Sequence, residues 1–177
     1  MEAGLLLLRV VLGGIMAVHG AQKLFGWFGG QGISGTAGWL EMVGLRPARM
    51  HAAMGGLAEF GGGVLLALGL LTPLGAAAIA GVMLVAIATV HWKNGFFNSN
   101  GGYEFNLLII AAAVALAITG PGTISIDHLA GWNLAGPEWG LAALAVSAVA
   151  AASVLAMRRP QPEQAREETS TEEVPAA

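Results

Sequence analysis

The stretch Met54-Gly-Gly-Leu-Ala-Glu-Phe-Gly-Gly-Gly-Val-Leu-Leu-Ala-Leu-Gly-Leu-Leu71 is apolar except for one carboxylate, Glu59. A run of this length and composition reads as a membrane-spanning helix. A second run, residues 4–25, carries Arg9, His19 and Lys23. Ionisable groups at such depths are costly unless paired and mark functional sites by default. Outward from these two runs, residues 74–92 and 138–157 also fit a span, and residues 104–119 fit a shorter one. Pro73 separates the second and third runs so tightly that they must form a helical hairpin. Pro121 ends the fourth, and Pro137 opens the fifth at a favoured first-turn position. The expected fold is all-α: a polytopic membrane bundle of four helices plus a fifth C-terminal transmembrane helix.

Composition agrees. Of 177 residues, 55% are hydrophobic and 11% charged, against about 25% charged in a soluble domain. Lipid as solvent explains the deficit better than a large core. The formal net charge of -3 is concentrated, because Glu163, Glu167, Glu168, Glu172 and Glu173 outweigh it by themselves. The remainder is slightly basic, which gives no sign of nucleic-acid binding. Cysteine is absent, excluding disulfides, thiolate metal sites and thiol redox chemistry. Electron transfer would therefore need a bound small cofactor or a partner protein. Glu2 and Arg9 argue against a signal peptide, so the first run reads as a retained span. Residues 36–43 suggest a short interfacial helix, and residues 160–177 a disordered acidic cytoplasmic tail.

Basic residues set the orientation. With Arg158 and Arg159 inside, five spans place Lys93, Arg46, Arg49 and Lys23 on the same side, as the positive-inside rule requires. The N-terminus is then outside and the C-terminus cytoplasmic. At about 1.5 Å per residue, His19 and Glu59 each lie roughly 9 Å from the cytoplasmic edge. His19, Lys23, Glu59, His91 and Glu104 form one expected polar layer, with His19 the natural partner of Glu59. Arg9, about 24 Å from that edge, is too far from Glu59 and is matched instead with Asp127 as a structural pair. No metal site is expected, since the ligand types of His19, His91 and Glu59 lack a recommending spacing.

Several of these residues fall in an order that resembles the DoxX family of bacterial membrane proteins. They are Leu8-Arg9-Val-Val-Leu-Gly13, His19-Gly20-Ala-Gln-Lys23-Leu-Phe-Gly26-Trp27-Phe28, Glu59-Phe-Gly-Gly-Gly, Leu68-Gly-Leu-Leu-Thr-Pro73, His91, Tyr103-Glu104 and Gly120-Pro121-Gly122 with Ser125-Ile-Asp127. The resemblance implies a four-helix membrane domain, here residues 1–128; the outer loop and fifth helix over 129–159 go beyond its pattern. It also implies a membrane subunit in a redox or oxidative-stress assembly. A related branch is associated with thiosulfate:quinone oxidoreductase, and some relatives with superoxide dismutase and a sulfurtransferase. On that reading a quinone is the expected cofactor, Glu59, His19 and Glu104 carry the proton, and Lys23 or His91 holds the head group. Soluble oxidoreductase or sulfurtransferase partners would complete the assembly in the bacterial cytoplasmic membrane. The rival classes are a non-enzymatic anchor for soluble enzymes, acting through the Arg46/Arg49 loop and the acidic tail, and a proton or small-molecule transporter. Against transport, the chain lacks inverted repeats and paired broken helices.

Overall fold

The computed structural model describes residues 1–159, and every regular element among them is helical. The expected acidic tail lies outside the described residues. The helices are α1 (Glu2–Phe25), α2 (Gly32–Met42), α3 (Ala48–Leu68), α4 (Thr72–Ala86), α5 (Glu104–Thr119), α6 (Ile126–Leu129) and α7 (Pro137–Ala156). After Ala86, α4 continues through a π turn, Ile87–His91, and a 3-10 turn, Trp92–Asn94. Counting that continuation, α1, α3, α4 and α7 are long and apolar enough to cross a membrane; α5 is apolar but spans 16 residues. The protein is an all-α membrane helix bundle.

The second spanning helix departs from its expected bounds. It begins at Ala48 rather than at Met54, where the apolar run starts, and stops at Leu68, short of the run's end at Leu71. Hydropathy hides its polar first turns, which contain Arg49 and His51, while Pro47 marks the true start. Gly69 sets the end by adopting a left-handed conformation (φ 62°), which glycine tolerates without steric penalty. Its amide and that of Leu70 return to the last carbonyls of α3, and the chain turns directly into α4, where Pro73 sits in the first turn.

Close backbone approach joins α1 to α3. A Cβ on Gly13 would run into the backbone of Gly63 and Ala67, and one on Gly20 into Phe60. Small residues at membrane interfaces allow this intimacy, where packing replaces the hydrophobic drive. The matching of Gly13 with Gly63, Gly20 with Phe60 and Leu24 with Gly56 makes the two helices antiparallel.

Central to the bundle is α4, which packs against α3, α5 and α7. It is rich in alanine and glycine, and Ala76, Ile79, Ala80 and Gly81 are buried. Leu66, Ala113 and Leu116 join it in the core. By contrast, Leu7 on α1 and Leu141 and Val149 on α7 are about two-thirds exposed. Large apolar side chains outside and small ones inside are what lipid as solvent allows. Trp27, Trp39, Trp92 and Trp132 are exposed near helix ends, where an aromatic belt belongs.

Candidate functional site: a charged pair in an apolar cleft

Glu59 is 2% exposed, and its Oε1 accepts from Lys23 Nζ at 2.5 Å. The partner of Glu59 is thus Lys23, not His19. The reason lies in azimuth rather than depth. The buried face of α1 runs through Arg9, Leu12, Gly13, Met16 and Gly20, and at about 100° per residue the same stripe continues to Lys23. His19 falls one position off the stripe and is exposed. The other carboxylate oxygen, Glu59 Oε2, is buried without a hydrogen-bond partner among the described residues.

The pair lies on a cleft of about 570 Å³. Its floor is α4, along which it extends from Leu74 to Val90. Met54, Gly55 and Ala58 of α3 form one wall, and Val146, Ala150 and Val154 of α7 the other. Thr36, Trp39 and Leu40 of α2 line it as well. Its polar lining is sparse: Lys23 and Glu59, then Thr36, Thr89, His91 and Asn106. A concave, mainly apolar space with a few convergent polar groups is the usual form of a small-molecule site.

Two of these residues belong to the π turn of α4. Thr89 Oγ1 donates back to the Val85 carbonyl at 2.8 Å, and π turns inside helices are frequent at functional sites. His91 Nδ1 lies 2.7 Å from the Gly101 carbonyl. A carbonyl only accepts, so Nδ1 carries the hydrogen, and Nε2 of the neutral ring is left as an acceptor. This contact also ties the loop of residues 95–103 to α4. Asn94 Nδ2 donates to the same carbonyl at 3.1 Å, and Trp92 stacks on Tyr103 with ring centroids 5.4 Å apart.

Glu104 does not reach the cleft. It is exposed, and its Oε2 accepts from the Asn98 amide at 2.9 Å, bracing the loop. The expected five-residue layer therefore divides. Lys23, Glu59 and His91 line the cleft, whereas His19 faces outward and Glu104 serves the loop. Asn106, in the first turn of α5, is a member that charge alone does not flag. It is buried and donates to Met83 Sδ at 3.4 Å; an amide inside an apolar run is the signal that marks it. His51, buried with Nε2 lacking a partner among the described residues, falls outside the apolar run that hydropathy selects.

Arg9 and Asp127 share a separate buried layer at the Pro73 end, 2% and 1% exposed. They attract one another electrostatically, but Asp127 spends its hydrogen bonds elsewhere. Its oxygens accept from Leu71 N at 2.7 Å, Thr72 N at 3.1 Å and Thr72 Oγ1 at 2.8 Å. A carboxylate there satisfies the free amides at the start of α4 and complements the helix dipole. It also holds Leu71 in its left-handed conformation (φ 46°), and the Asp127 amide donates to Gly69 O at 2.8 Å. The Arg9 guanidinium lies over Gly69, where any Cβ would collide with Nη1. This layer is a clamp on the α3–α4 turn rather than a simple ion pair.

No solved structure matches the chain. The DoxX family model matches residues 4–92. The chain is 36% identical over 126 residues to "Putative oxidoreductase CatD" of Bacillus subtilis (strain 168), covering 71% of this chain and 86% of that protein. To "Inner membrane protein YqjF" of Escherichia coli (strain K12) it is 31% identical over 130 residues, 72% of this chain and 92% of that protein. With half the chain matched by the family model and most of both relatives spanned, this protein belongs to the DoxX family.

Proposed function

We propose that this protein is the quinone-binding membrane subunit of a redox assembly in the bacterial cytoplasmic membrane. The observation that carries the reading is the Lys23–Glu59 pair, with Glu59 Oε2 unpartnered among the described residues, in the wall of a mainly apolar cleft. A quinone is a neutral ring with polar oxygens and an apolar chain, and it matches this lining. Lys23 donates to a ring carbonyl. The Glu59 carboxylate would take up a proton from the solvent side through Lys23, which is 35% exposed, and pass it on as that oxygen becomes a hydroxyl, returning to the charged pair. The second oxygen would draw its proton from water at the His91 end, and its hydroxyl would then donate to His91 Nε2. Two electrons and two protons convert quinone to quinol, and the electrons come from a soluble oxidoreductase partner. One relative is named "Putative oxidoreductase CatD", which supports that class, and the other "Inner membrane protein YqjF", which supports the location. The positive-inside pattern orients the His91 end toward the cytoplasm. His19 and Glu104 take no part in this reading.

Gentle purification followed by extraction of bound quinone and titration with decylubiquinone tests it. In the assembly, Glu59→Gln is expected to lower quinone reduction by about a hundredfold, the usual scale of a lost general acid. Unchanged reduction in a folded Glu59→Gln variant would remove Glu59 from the mechanism.

A second reading is an anchor that recruits soluble enzymes. It is favoured by a notch of about 450 Å³ lined by Arg46, Pro47, Met157 and Arg159, which suits an acidic surface. It predicts that Arg46→Glu releases co-purifying proteins and leaves quinone binding intact.

A further inference from the structure

We propose that α7 is the wall that selects the quinone ring, with Ala150 setting how large a ring enters. The proposal rests on the quinone reading above. Val146, Ala150 and Val154 recur at i, i+4 and i+8, hence on one face of α7, and all three line the cleft. Packing fixes their height. Between the antiparallel α3 and α4, Gly62 meets Ala78, so Glu59 stands level with Gly81 and Val82. Across the other seam, Gly81 meets Ser147. Because α7 runs alongside α4 in the same direction, Ala150 lies about one turn nearer His91. It therefore borders the space between Glu59 and His91, where the ring would sit between Lys23 and His91 Nε2.

The far half of the cleft, at Leu74, Ala77 and Ala78, is apolar and suits a prenyl chain. Two contacts hold α7 in this register. Arg158 Nε donates to Val43 O at 2.9 Å, and the Arg159 amide donates to Gly44 O at 2.7 Å. They join the end of α7 to the end of α2, whose Trp39 also lines the cleft.

The test uses the full chain in lipid nanodiscs, titrated with decylubiquinone and read by quenching of tryptophan fluorescence. Ala150→Phe is expected to weaken binding by about tenfold or more. Val149→Phe places a ring of the same size one position away, on a side chain that does not line the cleft, and is expected to stay within about twofold. Should Ala150→Phe fail to fold, Ala150→Val gives a smaller graded loss if the proposal holds and none if it does not. Equal binding by wild type and Ala150→Phe, or equal losses in Ala150→Phe and Val149→Phe, overturns the role of α7 and leaves the quinone reading standing. A wild-type protein that binds no decylubiquinone overturns both.

Discussion

Glu59 and Lys23 neutralise each other where neither charge would be tolerated alone, which makes the pair sensitive to single substitutions. Lys23→Met strands a buried carboxylate, and breaking a buried pair in this way costs about 3–5 kcal/mol. Thermal melts in detergent should show that loss, with most of it recovered in Lys23→Met/Glu59→Leu, where no charge is left behind. The same measurement separates Glu59 from His19. His19→Leu alters an outward-facing side chain and should change stability by less than about 0.5 kcal/mol; a large loss would restore His19 to the interior. Asp127 is the corresponding test at the Pro73 end. Asp127→Ala leaves the Leu71 and Thr72 amides unsatisfied in a buried turn, at a cost of about 1–3 kcal/mol.

At the scale of elements, the contact between α1 and α3 has the least tolerance. Gly20 faces the Phe60 backbone, which cannot move aside as a flexible side chain would. Gly20→Val should destabilise the protein by at least about 1–3 kcal/mol, the usual range for overpacking. Gly14, on the same helix with open space around it, provides the control: Gly14→Val should be tolerated in the same melt. The π turn of α4 is a second local feature with consequences. It brings Thr89 and His91 to the cleft, while the tied loop beyond it fixes the His91 tautomer. Glu104→Gln weakens the bond to the Asn98 amide without touching the cleft. Amide hydrogen exchange at Asn98 should therefore quicken, while decylubiquinone binding stays unchanged.

For the whole molecule, the orientation is the prediction with the widest consequence. The chain has no cysteine, so single reporters can be introduced without background. Asn98→Cys, in the loop beyond Lys93, should react with a membrane-impermeant maleimide only after the cytoplasmic face is opened. Trp132→Cys, in the loop before α7, should react from the outside in intact cells. The opposite pattern would invert the protein and place the basic notch outside.

Helix number and type are legible in the sequence because hydropathy, run length, Pro73, Pro121 and Pro137 are all local signals. Such signals suffice when lipid is the solvent and each span must satisfy its own backbone. They also provide the approximate depth of each charged residue. Depth along a helix does not give azimuth, however, and a single position turns a side chain by about 100°. His19 and Lys23, one turn apart, differ by only about 40°, yet that is enough to leave His19 at the exposed edge of the buried stripe and bring Lys23 to Glu59. Glu104 has a similar explanation, since only the folded loop shows that its carboxylate is occupied by Asn98. Sign of charge pairs Asp127 with Arg9, whereas the fold gives its hydrogen bonds to the start of α4. Residue order alone therefore specifies a bundle of apolar helices with a few charges held at known depths. Which of those charges meet in one cleft, and that α7 forms its far wall, emerges only on folding, because both depend on how helix faces rotate and dock against one another.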